Sequence, residues 1–302
     1  MLKIFKIIGI IFIVLFCLMT FFSRTFTANE QMQMGELKVV EDISTDSFEF
    51  VTKSKADIMQ GDLILVNNET PYHFTFENEL VSLYDVKNSA YKVKDKDVLI
   101  SPYIIDSLNG MLNKYYEKYN DNTVTVISGY RTYEKQQSLY EQRISESGEA
   151  EAMKWVAKPG GSEHHTGYAF DFGLYTKNGR SLEYNGKGKC DWINKNAYKY
   201  GFIVRYPGNK SNITGILYEP WHFRYVGNPH STIISQYNMC MEEYIDYLRQ
   251  FEFGKKHLEF TDYNGKHYEI FYTASMNVPV PKNGNYRVSG NNIDGFIVTI
   301  EK

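Results

Sequence analysis

The clearest periodic patterns lie in the middle of the chain. Apolar residues between positions 103 and 119 recur at helical spacing and predict an amphipathic helix. A β-branched run at 123–127 predicts a strand, which ends at a serine and a glycine. Thr132 suits the N-cap of a helix, so a second helix is expected to begin there and to run past Tyr140.

Shorter segments follow, separated by glycine and proline. Three of them alternate between apolar and polar side chains and predict strands, at 168–172, 202–206 and 221–226. The segment 191–200 predicts a helix that closes at Gly201. A longer helix over 231–251 is expected to complete this region, which begins with a strand-like run at 62–66.

The two ends of the chain differ from this middle. Lys3 and Lys6 precede an almost wholly apolar run at 7–22, which is typical of an export signal. We expect an uncleaved membrane anchor with the rest of the chain outside the cytoplasm, or a secreted protein if the segment is cleaved. Beyond residue 251, strand-like stretches at 268–272 and 296–300 predict a small β appendage.

These patterns divide the chain into four predicted parts. They are an anchor or signal segment (1–24), a polar and acidic spacer with little periodicity (25–60), a main domain (61–250) and a β-rich C-terminal appendage (251–302). A chain of 302 residues is long enough for one sizeable core plus something smaller.

Composition and charge narrow the function. The net charge of −3 argues against a nucleic-acid partner, which needs a dense basic surface. A hydrophobic content of 43% and a charged content of 23% are ordinary for a globular protein, so disorder is not expected. Outside the apolar run the cysteines are Cys190 and Cys240, which either form a disulfide or are two buried free thiols.

The segment 162–171, Ser-Glu-His-His-Thr-Gly-Tyr-Ala-Phe-Asp, carries the first chemical signal. His164 and Asp171 are seven residues apart, with Gly167 between them. A turn at Gly167 followed by a strand allows a loop histidine and a strand carboxylate to converge on one ion, and zinc accepts both ligand types. Taken alone, this spacing is also typical of a loop histidine beside a capping aspartate.

The segment Glu-Pro-Trp-His at 219–222 offers a third ligand. Three protein ligands with His222 as the third leave one coordination position open for water, as in catalytic zinc sites. The attacking water needs a base to accept its proton, and Glu219 lies three residues before His222. By itself, Glu219 is more typical of a surface salt bridge.

A third segment, Ser-Gly-Tyr-Arg at 128–131, follows the predicted strand. From this position the guanidinium of Arg131 can point into a cleft. Hydrolysis of an amide builds negative charge on the carbonyl oxygen, and a fixed cation stabilises that charge in a water-poor site. Without the other two segments, Arg131 is equally consistent with a surface arginine.

Together the three segments resemble the zinc D-alanyl-D-alanine carboxypeptidases of the VanY type, whose relatives include L,D-carboxypeptidases. The signature Ser-x-His-x-x-Gly-x-Ala-x-Asp is met in full by Ser162, His164, Gly167, Ala169 and Asp171. The Glu-x-x-His element is met by Glu219 and His222, and Ser-Gly-Tyr-Arg by the residues up to Arg131. The resemblance covers about residues 98–248.

The resemblance implies a fold and a set of roles. The fold is α+β, of the hedgehog/D,D-peptidase-like zinc peptidase type, with an antiparallel sheet that forms the metal cleft. One zinc ion per chain is held by His164, Asp171 and His222, with Glu219 as base and Arg131 stabilising the oxyanion. Gln136, Ser162 and Tyr206 are expected to contact the terminal D-residue or its carboxylate. His165 has no role in the pattern.

The leading hypothesis is therefore a zinc D,D-carboxypeptidase that removes the last D-Ala from pentapeptide stems of peptidoglycan or from their lipid-linked precursor. Such an activity contributes to glycopeptide resistance, because it removes the D-Ala-D-Ala target. One alternative is an L,D-carboxypeptidase that acts on tetrapeptide stems. Another is a non-catalytic cell-wall-binding module, which the intact ligand set and base argue against.

Overall fold

The computed structural model describes residues 34–41, 43–74, 79–176 and 178–302. The predicted anchor, residues 1–24, lies outside this part of the chain. Among the described residues, no helix has the length and apolar character needed to cross a membrane. Residues Gly35–Lys302 group into one unit, which contains the predicted main domain and the C-terminal appendage.

The described residues form short and medium-length helices and a larger set of strands. The helices are α1 Leu83–Val86, α2 Ile105–Tyr119, α3 Tyr133–Ser147, α4 Glu149–Ala152, α5 Asp191–Asn196, α6 Ser211–Thr214, α7 His230–Gln236 and α8 Met241–Leu248. The strands are β1 Glu36–Glu41, β2 Phe48–Thr52, β3 Val81–Ser82, β4 Lys92–Val93, β5 Leu99–Ile100, β6 Val124–Ser128, β7 Ala169–Tyr175, β8 Ser181–Glu183, β9 Phe202–Val204, β10 His222–Tyr225, β11 Lys256–Thr261, β12 His267–Thr273, β13 Asn277–Pro281, β14 Asn285–Gly290 and β15 Phe296–Glu301.

The first large sheet has the order β4-β6-β7-β10-β9, with β8 paired to β7. Its pairs are antiparallel except β4 with β6. Phe170, Phe172 and Phe223 lie on one side of β7 and β10 and are buried together. The buried face of α2 packs into the same core, since Leu108 and Met111 belong to the same buried cluster. Asp171 and His222 alternate with these phenylalanines along β7 and β10, so their side chains lie on the other face of the sheet.

A second sheet, with the order β1-β11-β12-β15-β14, contains the C-terminal residues. Its edge strand β1 comes from the segment predicted as a spacer, and β2 from the same segment pairs with β13. Helices α7 and α8 pack between the sheets, because buried residues of both helices share a core with Ile203, Leu258 and Ile270. The segment predicted as a spacer thus contributes two strands, which its polar sequence did not predict. The boundaries of the four predicted parts of the chain stay a prediction.

Several local predictions are confirmed by the structure. The helix predicted over 103–119 is α2, and α3 begins after Thr132, whose side-chain oxygen accepts a hydrogen bond from the Lys135 amide at 3.1 Å. The helix predicted over 191–200 is α5 followed by a 3₁₀ turn, and it closes at Gly201 in the left-handed region. The strands predicted at 168–172 and 296–300 are β7 and β15.

Two local predictions were wrong. The single helix expected over 231–251 is two helices, α7 and α8, because the backbone turns through Asn238, whose φ of 50° does not occur in a right-handed helix. The run 62–66 is buried but is not a strand. Its backbone groups are paired instead with side chains and loops, as where the Leu63 amide donates to Ser289 Oγ at 2.9 Å.

Candidate active site

The candidate metal ligands begin with a cross-strand pair. His222 at the start of β10 lies directly opposite Asp171 in β7. Paired residues of antiparallel strands present their side chains on the same face. His222 Nδ1 is accordingly 3.1 Å from Asp171 Oδ1. The sheet register therefore brings together two residues that are 51 positions apart.

A tight turn adds the third ligand. The residues Glu163–Thr166 form a 3₁₀ turn that ends at Gly167, whose φ is 74°. A Cβ atom at Gly167 would lie 2.8 Å from Leu80 Cδ2, so both conformation and space favour glycine. The turn brings His164 back over the strand that follows, and His164 Nε2 lies 3.2 Å from Asp171 Oδ2.

The backbone beyond β6 fixes the ring of His164. His164 Nδ1 donates to the Gly129 carbonyl oxygen at 2.6 Å, which leaves Nε2 for the ligand set. The chain also packs closely on the other side of Gly129, where a Cβ atom would lie 2.2 Å from the Leu99 carbonyl oxygen. Ligand atoms of His164, Asp171 and His222 all lie within 4.8 Å of one another. Two imidazoles and a carboxylate so arranged fit a zinc ion with an open position.

Glu219 and Arg131 flank this ligand set. Glu219 is 8% exposed, and its Oε2 lies 3.8 Å from His222 Nδ1. Arg131 Nη2 lies 3.6 Å from Asp171 Oδ2. Gln136 Oε1 accepts a hydrogen bond from Arg131 Nη1 at 2.8 Å, and Ser128 Oγ accepts one from Nη2 at 3.0 Å. The guanidinium is thus held in one orientation that points into the site.

All eight residues predicted for the site line a single cleft of about 320 Å³. Tyr206 packs its ring against His222, with centroids 5.0 Å apart. Gln136 donates through Nε2 to the Ala157 carbonyl at 2.7 Å, so its amide is already engaged on both sides. Because Ala157 holds the amide that accepts from Arg131, Gln136 orients Arg131 in addition to lining the cleft. The residues are Arg131, Gln136, Ser162, His164, Asp171, Tyr206, Glu219 and His222.

Burial and charge shift the acid–base properties of the site. Burial raises the pKa of Glu219 to about 8 against the opposing charge of His222. Burial lowers the pKa of His164 to about 4, and the charge of Arg131 acts in the same direction. For His222 burial also disfavours the cation, but hydrogen bonds and charges from carboxylates, first of all Asp171, outweigh it and raise the pKa to about 9. Since metals bind unprotonated imidazole, an ion competes with a proton at His222.

The structure adds residues that the sequence patterns did not single out. The outer part of the cleft is lined by Arg143 and Trp155, and the guanidinium of Arg143 lies 5.9 Å from the indole centre. Glu163 is fully buried behind His222. Burial opposes its ionisation, but the guanidiniums of Arg205 and Arg224 outweigh burial and hold the pKa of Glu163 well below its ordinary value. The sequence signal for Glu163 was its place between Ser162 and His164, at a position that the signature leaves open.

Other sequence candidates lie outside the ligand set. His165 Nδ1 donates to the Arg131 carbonyl oxygen at 2.6 Å, and its Nε2 accepts from the Gly160 amide at 3.2 Å. His165 therefore supports the backbone of the site. Cys190 and Cys240 are both free and buried, so the alternative of two free thiols is confirmed over the disulfide.

Comparisons with known proteins agree with this geometry. The VanY family of D-alanyl-D-alanine carboxypeptidases matches residues 98–228. A D-alanyl-D-alanine carboxypeptidase of Enterococcus faecium is 38% identical over 256 residues, which cover 82% of this chain and 78% of the relative.

Solved structures resemble the chain as well. The D,D-dipeptidase VanXYg, in complex with a D-Ala-D-Ala phosphinate analogue, matches with a TM-score of 0.72 and 32% identity, over 89% of this chain and 100% of that one. A mutant of the D,D-pentapeptidase VanY from a VanB-type resistance cassette, in complex with Zn(II), matches with a TM-score of 0.51 and 33% identity, over 61% and 98%. An L,D-carboxypeptidase, LdcB, is also a structural neighbour. With the signature residues assembled in one cleft, the chain belongs to the VanY family of D-alanyl-D-alanine carboxypeptidases.

Proposed function

We propose that this protein is a zinc metallopeptidase, a D,D-carboxypeptidase that removes the C-terminal D-Ala from peptidoglycan pentapeptide stems or their lipid-linked precursors. The observation that carries the proposal is the convergence of His164, Asp171 and His222 beside Glu219. Family membership supports the choice of reaction, because the Enterococcus faecium relative is a D-alanyl-D-alanine carboxypeptidase. By trimming D-Ala-D-Ala ends, the activity lowers sensitivity to glycopeptide antibiotics.

One zinc ion per chain is part of the proposal, with His164, Asp171 and His222 as its ligands. When bound, zinc supplies Lewis-acid chemistry, in that it polarises a carbonyl and lowers the pKa of water. Glu219 accepts the proton of the attacking water and returns it to the departing D-alanine amine. The carboxyl is buried and lies beside His222, so proton transfer takes place away from bulk solvent.

Arg131 stabilises the negative charge that develops on the carbonyl oxygen. Its guanidinium is oriented by Gln136 and Ser128 before the substrate arrives, so little reorganisation is needed during the reaction. Ser162, Tyr206 and Gln136 line the same cleft and contact the terminal D-residue or its carboxylate.

Incubation of the full-length protein with defined stem peptides tests the proposal. We expect the loss of one alanine from a pentapeptide that ends in D-Ala-D-Ala, no loss from the tetrapeptide, and no cleavage after treatment with a chelator. Mass spectrometry of the products measures each outcome. A pentapeptide that ends in D-Ala-L-Ala is the matched control and should stay intact.

The other outcomes of this assay identify the alternatives. Removal of D-Ala from the tetrapeptide alone would move the enzyme to the L,D class with the same metal and base. Binding of wall peptide with no cleavage of either stem would overturn the catalytic proposal in favour of a wall-binding module. Cleavage that survives complete metal removal would contradict the zinc mechanism.

The location of the protein is a further part of the proposal. Lys3 and Lys6 before the apolar run 7–22 support a single-pass anchor with the catalytic residues outside the cytoplasm. An anchor of this kind holds the cleft near lipid-linked precursors. Protease added to intact protoplasts is expected to degrade the chain while a cytoplasmic marker survives. Protection of the chain until the cells are lysed would contradict this topology.

A further inference from the structure

A buried cluster of charged side chains lies behind the candidate metal site. Glu163, Arg205 and Arg224 have fully buried side chains. Glu163 Oε1 accepts a hydrogen bond from Arg205 Nε at 2.8 Å and lies 3.0 Å from Arg224 Nη1. The other edge of Arg205 donates two hydrogen bonds to Glu242, at 2.9 and 2.7 Å. The cluster fixes the carboxylate of Glu163 on one side only.

The second oxygen of Glu163 faces a metal ligand. Glu163 Oε2 lies 3.7 Å from His222 Nε2. Both atoms are buried, and within the described part of the chain neither takes part in any hydrogen bond. A buried polar atom without a partner is costly, so a small shift that joins these two atoms is favourable.

The two histidines of the site need opposite tautomers. His164 donates from Nδ1 to a backbone carbonyl and so keeps the lone pair on Nε2. The Nδ1 atom of His222 faces Asp171, which is another candidate ligand. For His222 to bind the same metal ion through Nδ1, the lone pair must be on Nδ1. This requires the proton on Nε2, and a carboxylate at Nε2 is the acceptor that holds it there.

We propose that Glu163 is a positioning residue for the metal site. Its carboxylate accepts a hydrogen bond from the Nε2–H group of His222 and thereby fixes the tautomer that presents Nδ1 to the ion. The inference rests on the proposed zinc site. Arg205 and Arg224 hold the other oxygen of Glu163, so the carboxylate does not rotate away from the imidazole. Glu163 lies between Ser162 and His164, at a position that the signature leaves open.

Parts of the chain outside the family match support this arrangement. Glu242 lies in α8, beyond residues 98–228, and Asn67 Nδ2 donates to its Oε1 at 3.0 Å. Arg224 donates to the carbonyl oxygens of Asp62 and Ile64 at 3.0 and 3.1 Å. Segments before and after the matched region therefore hold Arg205 and Arg224 in place. These two arginines position Glu163, and Glu163 in turn orients His222.

Glu163→Gln in the full-length protein is a sharp test, because an amide has one acceptor and one donor. The amide oxygen is expected to face the two arginines, which turns the NH₂ group towards His222 Nε2. A donor at Nε2 favours the wrong tautomer, with the proton on Nδ1. We expect zinc affinity, measured by competition with a chromophoric chelator, to fall about 10–100-fold.

Glu242→Gln is the matched control. It removes the same charge from the same arginine but does not touch His222, so its effect on zinc affinity should be much smaller. Unfolding temperatures of the metal-free variants report structural damage separately. Equal losses of zinc affinity in the two variants would overturn the positioning role and assign the effect to the charge cluster as a whole.

Nuclear magnetic resonance of zinc-loaded, ¹⁵N-histidine-labelled protein gives a readout besides affinity. The wild type should show a downfield, slowly exchanging Nε2 proton for His222, and Glu163→Gln should lose it. Absence of that proton from the wild type would overturn the inference even if the variant does not fold. Failure of the wild type to bind zinc would instead refute the proposed function, so the two failures are distinguishable.

Discussion

Glu219→Gln is expected to lower kcat by about 10²–10⁴-fold and to leave zinc binding intact. Glutamine has the size of glutamate but cannot accept a proton from the attacking water. Glu219 is not expected among the metal ligands, because the converging ligand atoms belong to His164, Asp171 and His222. The variant therefore removes the base and keeps the site that activates the water.

The surroundings of Glu219 suit a group that takes up and returns a proton. In the absence of a metal, burial raises its pKa to about 8. A divalent cation at the neighbouring ligand set favours the carboxylate and lowers that pKa. The two effects oppose each other, and a general base is most effective when its pKa lies near the working pH.

Glu141→Gln is the control for this variant. Glu141 is exposed on α3, so the substitution makes the same change in charge away from the ligand set. Zinc content by elemental analysis and kcat on a D-Ala-D-Ala peptide give the two measurements. If Glu219→Gln turned over substrate at a rate near that of the wild type, another group would have to be the base.

The parts of the fold that the sequence predicted are those set by local patterns. Helices α2 and α3 and strand β7 follow from apolar spacing and from a good N-cap. The break between α7 and α8 was not predicted, because the apolar pattern continues across it. The break occurs where Asn238 adopts a left-handed conformation. The buried run 62–66 has strand-like composition, but its partners are side chains from distant segments, such as Ser289 and Arg224.

In the candidate site, too, local motifs predicted some residues, whereas the roles of others depend on contacts with distant segments. The proposed metal ligands and Glu219 could be predicted from the sequence, because each lies within a short signature whose residue types are those of zinc chemistry. Glu163 lies in the same signature, yet its meaning depends on Arg205 and Glu242, which are 42 and 79 positions away. No local pattern reveals such contacts. The hydrogen bond between Gln136 and Arg131 was likewise not predicted from the sequence. The sequence motifs gave the two residues separate roles, Gln136 in substrate binding and Arg131 in stabilising charge.

His222→Ala is expected to lose zinc and activity together. The substitution removes one of the three proposed ligands. The loss of zinc affinity should therefore be larger than the loss of about 10–100-fold that is typical when an outer-shell partner is removed. It also leaves Glu163 and Asp171 without the imidazole that lies between them, 3.7 and 3.1 Å away. Zinc content after dialysis and chelator competition measure the effect.

His267→Ala provides the matched control, because His267 is exposed on β12 and lies outside the converging ligand set. Wild-type protein stripped by a chelator should regain activity when zinc is added, whereas His222→Ala should regain it only at much higher zinc concentration or not at all. Full zinc occupancy in His222→Ala would remove His222 from the ligand set. Together with Glu219→Gln, this variant separates two causes of inactivity, since one loses the proton acceptor with the metal in place and the other loses the metal itself.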